Sequence, residues 1–141
     1  MANILIVDDD AGMLSLLTVF LERNGHDAKA VSNLMDGLNK AQAGAFDLIL
    51  LDVNMPDGCG LDFLPQFREV TSSPEVLIIT GKGDKDGAEK AIKSGAWGYI
   101  EKTYITRELK LHLTRALEYR AEKNRTEHVP VSLKRENIIG N

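Results

Sequence analysis

The chain has a single cysteine, Cys59, in 141 residues. A disulfide framework and a cysteine metal site are both excluded, which suits the cytosol. No histidine lies near Cys59 in sequence, so a small residue in a turn is a better reading of it than a nucleophile. Long apolar runs are missing too. None approaches the roughly 20 residues needed to span a bilayer, and MANILIVDDD has neither a basic start nor a small-residue cleavage site, so it does not read as a signal peptide. Positive charge is in deficit: 17 basic residues face 21 acidic ones, for a formal charge of -4. That argues against the bulk of the chain gripping a phosphate backbone. No internal repeat, phosphate-binding glycine loop or DNA-reading helix is found. The expected setting is cytoplasmic, with no membrane and no direct nucleic-acid contact.

What is present is an ordinary globular composition, 43% hydrophobic and 27% charged, long enough for one domain with a core plus a tail. Apolar stretches of strand length occur at Asn3 to Val7, Asp27 to Val31 (the weakest), Leu48 to Leu51, Glu75 to Ile79 and Gly98 to Glu101. Helical spacing separates them. Leu14, Leu17 and Leu21 form one stripe, closed by Gly25. Leu34, Leu38 and Ala41 form the next, capped by Ser32 or Asn33. Leu61, Leu64 and Phe67 form a third, where Pro65 would cost about 3 kcal/mol in a helix interior, so the helix is expected to start near Asp62. Ala88, Ala91 and Ile92 face inward on a short fourth helix. Ile105, Leu109, Leu113 and Ala116 or Leu117 define the last, to about Tyr119. Five strands alternating with five helices imply an α/β fold, a parallel sheet with helices on both faces. GKGDKDG, from Gly81 to Gly87, is expected to be a mobile loop.

The chemistry lies where strands end. Ligands in open α/β sheets bind beyond the carboxyl ends of the strands. The first strand runs into Asp8, Asp9 and Asp10, and the third into Asp52, followed by the turn residues Asn54, Pro56, Asp57 and Gly58. Asp10 and Asp57 read as caps of helices or turns. If the first and third strands are neighbours, Asp8, Asp9 and Asp52 converge. Such carboxylates repel until one is protonated or a cation neutralises them. An all-oxygen cluster favours Mg²⁺ with water completing an octahedron. A carboxylate beside such an ion can act as nucleophile towards a phosphoryl group. Thr80 after the fourth strand and Lys102 after the fifth would then hold phosphoryl oxygens.

In order and spacing, IVDDD, LLLDVNMPDGCG, IITGKG and GAWGYIEK resemble the receiver domain of two-component response regulators, over about residues 3 to 119. The resemblance implies a flavodoxin-like, doubly wound five-stranded sheet of order 2-1-3-4-5. It implies Asp52 as phosphoacceptor, Asp9 as direct Mg²⁺ ligand, Asp8 acting through water, and the Asn54 backbone carbonyl as a further ligand. Thr80 and Lys102 would hold the phosphoryl oxygens, and Tyr99 matches the family's switch aromatic. A sensor histidine kinase is the implied partner, and a homodimer the implied assembly. The chain would not be an enzyme beyond taking phosphoryl from donors and losing it again. One departure is Thr103, where the family usually has Pro in a cis bond; before Thr such a bond costs about 3 kcal/mol, so trans is expected. Trp97 is expected on the fourth-helix/fifth-strand face, contributing to a partner or dimer surface.

SLKRENIIGN resembles the opening of the ATPase domain of sigma-54-dependent activators of the NtrC type. Residues 120–141 then read as a linker and the start of a missing domain, through which the full protein would reach DNA. Arg120 to Glu127 has no apolar stripe and reads as a solvated helical extension or a frayed linker. Three other readings compete. A stand-alone receiver would signal by protein binding. A Mg²⁺-dependent phosphatase would want a second acid two residues after Asp52, where Asn54 stands. A flavin carrier would want a Ser/Thr-rich loop where the aspartates are.

Overall fold

The computed structural model describes residues 1–81 and 85–127. In chain order the elements are β1 (Asn3–Val7), α1 (Ala11–Arg23), β2 (Asp27–Val31), α2 (Leu34–Ala43), β3 (Leu48–Asp52), β4 (Asn54–Met55), β5 (Gly58–Cys59), α3 (Gly60–Glu69), β6 (Glu75–Thr80), α4 (Lys85–Lys93), β7 (Gly98–Glu101), a 3₁₀ turn (Lys102–Tyr104) and α5 (Ile105–Glu127). Five strands form a parallel sheet of order β2-β1-β3-β6-β7. Counting only these strands, that is the expected 2-1-3-4-5. The small antiparallel pair β4–β5 was not foreseen; it lies in the turn-rich stretch after Asp52.

Alternation along the strands builds two cores. Leu5, Val7, Ile49, Leu51, Val76 and Ile78 face a cluster that includes Leu34, Leu38, Leu64, Phe67 and Ala91 of α2, α3 and α4. Ile4, Ile6, Leu48, Leu50, Leu77 and Ile79 face Leu17 and Leu21 of α1 and Leu109, Leu113 and Ala116 of α5. β1, β3 and β6 are covered on both faces, which is why they read as unbroken apolar runs. β2 sits at the edge and is largely exposed, hence its weak signal.

Some boundaries and faces depart from expectation. α3 starts at Gly60, so Pro65 falls in its second turn, outward and solvent-exposed. Leu64 and Phe67 are fully buried on its other side, and that burial offsets the lost backbone bond. α4 begins at Lys85, so the last residues of the expected loop are helical; Lys82 to Asp84 lie outside the described residues. Ile92, expected inward, is exposed, leaving Ala91 to make the buried contact. The Trp97 ring stacks on Tyr119 of α5 at 4.8 Å between centroids and packs on the α1/α5 core.

The last helix does not stop at Tyr119. It continues to Glu127, and Arg120 is buried. Its guanidinium donates to Ser73 O at 2.7 Å, Ser72 O at 2.6 Å and Asp47 Oδ1 at 3.2 Å. Glu75, buried at the start of β6, lies 3.2 Å from Arg68 of α3, 3.5 Å from Lys123 and 3.8 Å from Arg120. This ionic cluster joins α3, α5 and the amino ends of β3 and β6, at the far end of the sheet from the aspartates. The region from His128 to Asn141, with the ATPase-like segment, lies outside the described residues.

Candidate functional site

β1 ends at Val7, so Asp8 and Asp9 follow it directly, while β3 ends on Asp52 itself. The two strands pair in parallel with Val7 opposite Leu51, which brings Asp8 level with Asp52. Asp8 and Asp52 are buried and Asp9 is exposed; one carboxylate oxygen from each lies within 4.8 Å of the others. From the other side of the sheet, Lys102 reaches across the end of β6. Its Nζ is 3.0 Å from Asp8 Oδ2 and 3.0 Å from Asp52 Oδ2. Asp10 stands apart in role: its N–H donates to Asp8 Oδ1 at 2.9 Å, and its carboxylate caps α1 by accepting from Gly12 and Met13.

The electrostatics follow from too many acids around one lysine. Burial pushes the Asp52 carboxyl above the usual carboxylate range; the Lys102 bond pulls it down, the Asp8 charge adds to the rise, and the Lys102 charge and the Asn54 amide oppose it. An ion pair alone would lower Asp52, so burial and Asp8 exceed what one ammonium neutralises. Burial also works against the Lys102 charge, but its bonds to Asp52 and Asp8 outweigh that and hold it above its ordinary value. Asp8 Oδ2 is buried and accepts no directed hydrogen bond, although Lys102 Nζ is near. A spare buried oxygen among carboxylates is a donor set suited to a hard divalent cation. Asp8, Asp9 and Asp52 are the residues that would hold it.

The other expected residues fall around this centre. Thr80 is the last residue of β6 and is buried. Since Asp52 is opposite Ile79, Thr80 stands one step beyond it on the neighbouring strand. Tyr99 is opposite Ile78 on β7, half-buried against the α2–α4 core. Lys102 opens the 3₁₀ turn with Thr103, and no cis peptide bond occurs among the described residues. Asn54 opens the β4–β5 hairpin that follows Asp52. Gly60 closes it: its N–H donates to Val53 O at 2.7 Å, and a Cβ there would lie 2.1 Å from Asp52 O. Any side chain at position 60 would force the phosphoacceptor candidate's backbone aside.

Sequence reasoning missed two features. Asp57 does cap a helix, but a distant one: its carboxylate accepts from Leu34 N at 2.9 Å and Met35 N at 3.0 Å, at the start of α2. No local spacing signals a partner 23 residues away. Arg120 was legible in principle. Ile105, Leu109, Leu113 and Ala116 define an inward stripe, and Arg120 continues it one turn on.

A five-stranded parallel α/β sheet with an acidic cluster at the switch between β1 and β3, and a lysine after its last strand, defines the receiver class of fold. The response regulator receiver domain profile matches residues 4–114, and the chain belongs to that family. It is 33% identical over 116 residues to the DNA-binding transcriptional regulator NtrC of Azospirillum brasilense, covering 82% of this chain and 24% of that one. Among solved structures, the beryllofluoride-activated NtrC4 receiver domain dimer superposes with a TM-score of 0.78 at 36% identity, covering 85% of this chain and 99% of that one. A CheY-like receiver domain protein from Methanospirillum hungatei gives a TM-score of 0.81 at 26% identity, covering 87% and 98%. The chain spans 24%, 26% and 52% of the first curated relatives it matches. No helix among the described residues is long and apolar enough to cross a membrane.

Proposed function

We propose that this receiver domain accepts a phosphoryl group on Asp52, in a Mg²⁺-dependent reaction, from a sensor histidine kinase or a small phosphodonor. The observation that carries this reading is the meeting of Asp8, Asp9, Asp52 and Lys102 at one sheet edge, with buried Thr80 on the strand between β3 and β7. When bound at the aspartates, Mg²⁺ offsets the negative charge of the carboxylates and of the incoming phosphoryl oxygens. Asp9 would hold it directly, Asp8 would act through water, and the Asn54 carbonyl would add a backbone oxygen. An Asp52 carboxylate oxygen attacks phosphorus; the new O–P bond forms as the donor's N–P or O–P bond breaks, and the electron pair leaves with the donor. Lys102, already paired with Asp52, then bonds a phosphoryl oxygen, and Thr80 donates its hydroxyl to another.

That rearrangement is the signal. Drawing Thr80 and Lys102 to the new charge repacks the face bearing Tyr99, two residues back from Glu101, the partner of Thr80 in register. The similarity to NtrC and to the NtrC4 receiver dimer supports a sigma-54-dependent transcription activator, cytoplasmic and dimeric, as the parent protein. In it, residues 120–141, which begin within α5, would link the receiver to an ATPase domain.

Incubating the chain with acetyl phosphate and Mg²⁺ and weighing the intact protein tests the reading. Wild type should gain one phosphoryl group and Asp52→Asn none. If several donors and a cognate kinase all leave the wild type unlabelled, the phosphoacceptor role is wrong. Steady turnover of many small phosphate esters would instead favour a phosphatase.

A further inference from the structure

The two halves of the acid cluster come from different parts of the chain. Asp8 and Asp9 leave β1, while Asp52 leads into the β4–β5 hairpin. The pairing of β1 with β3 sets the spacing of Asp8 and Asp52, but the hairpin that carries Asn54 lies beyond that register. α2 touches both the hairpin and β1. At Gly37 it lies so close to β1 that an added Cβ would sit 3.0 Å from Val7 Cγ2, and Val7 is the residue just before Asp8. At its amino end, the Leu34 and Met35 N–H groups are held by Asp57, at the tip of the hairpin that follows Asp52. These are first-turn amides with no partner inside the helix. The hairpin side of the link is short and stiff: Asn54 pairs with Cys59, and Gly60 N–H returns to Val53 O.

We propose that Asp57 is a positioning residue, which through the amino end of α2 holds the loop after Asp52 in fixed register with the strand that delivers Asp8 and Asp9. The inference rests on the phosphoacceptor reading above. Asp57 is solvent-exposed, so it contributes no core packing; what it contributes is the pair of bonds. The same helix end supplies an internal control. Asn33 also caps α2, accepting from Asp36 N at 2.8 Å, a bond that stays within the helix start. Removing either side chain weakens the helix start. Only removal of Asp57 uncouples the hairpin from it.

The test is the initial rate of labelling by acetyl phosphate over a Mg²⁺ titration, on the full chain and its Asp57→Ala, Asp57→Asn and Asn33→Ala variants. Asp57→Ala should raise the half-saturating Mg²⁺ concentration and slow labelling by about tenfold, because a displaced ligand loop costs rate steeply. Asp57→Asn, which keeps one acceptor oxygen, should fall between it and wild type, and it carries the test should the alanine variant not fold. Asn33→Ala should stay within about twofold of wild type despite a comparable loss of helix capping. If wild type labels and the Asp57 and Asn33 variants behave alike, fast or slow, the positioning role is overturned. If wild type itself does not label, the phosphoacceptor reading falls and this inference with it.

Discussion

At the scale of single residues, His26 shows how a side chain outside the acid site sets a pH response. The Ala2 N–H donates to its Nδ1 at 3.1 Å, so that nitrogen carries no proton in the folded chain. Burial lowers its pKa, and the amino-terminal charge lowers it further. The sign follows by linkage. A histidine depressed on folding binds its proton more readily in the unfolded chain, so its contribution to stability is complete above about pH 6.5 and is lost as the pH falls towards the depressed value. Wild type should therefore lose more melting temperature between pH 7.5 and pH 5.5 (about one pH unit either side of the ordinary histidine value) than His26→Gln does. Thermal melts of the two proteins at both pH values check this; equal losses would show that His26 does not titrate across folding.

At the scale of elements, α5 is the one whose end the sequence left open between a helical extension and a frayed linker, and the helix continues to Glu127. Composition alone makes RAEKNRTE look solvated, and Ala121, Glu122, Asn124 and Arg125 are exposed. Arg120 is the exception, because it lands on the inward stripe of the helix. There it meets three acceptors whose own positions depend on where β3 and β6 begin. Breaking a buried ion pair from one side leaves the other side's charge uncompensated, at a cost of about 3 kcal/mol. Arg120→Ala should lose stability of that order in a urea titration, and amide exchange should quicken in the last turns of α5. Lys123→Ala, which removes a more exposed member of the same cluster, should cost less than about 1 kcal/mol. If the two variants match, Arg120 is not the residue that pins the helix.

At the scale of the whole molecule, the sheet is held at two poles of opposite character. One end gathers Asp8, Asp9 and Asp52 around a single lysine, and the other joins Glu75 and Asp47 to Arg68, Arg120 and Lys123. The second pole has a cation for each of its acids; the first does not, and its excess of acid is a standing cost to the fold. A divalent cation should remove that cost, so Mg²⁺ at about 100 times its dissociation constant should stabilise the domain by about 2.7 kcal/mol. Melting curves with and without Mg²⁺ measure it. Asp9→Ala should abolish most of the shift while barely changing the metal-free melt, since Asp9 is the exposed member of the cluster. A full shift in that variant would remove Asp9 from the ligand set.

The apolar runs of β1, β3 and β6, the acids and threonine at their ends, and Lys102 after β7 were all legible in the sequence, because strands buried on both faces must be apolar throughout and their polar neighbours stand out. The strand alternation with helices was likewise enough to order a parallel α/β sheet. What the linear chain could not contain was distance between remote parts. The carboxylate of Asp57 finds its amides on a helix that precedes it by 22 residues or more, and Arg120 finds its acceptors in two separate strand starts. The outward turn of Pro65 and Ile92 is of the same kind, since a helix face is buried or free only according to what packs there. Sequence determined which groups stand at the ends of the strands, through residue type and local period. Tertiary structure decided how those groups are held, because a hydrogen bond is made at about 3 Å in space, whatever the separation along the chain.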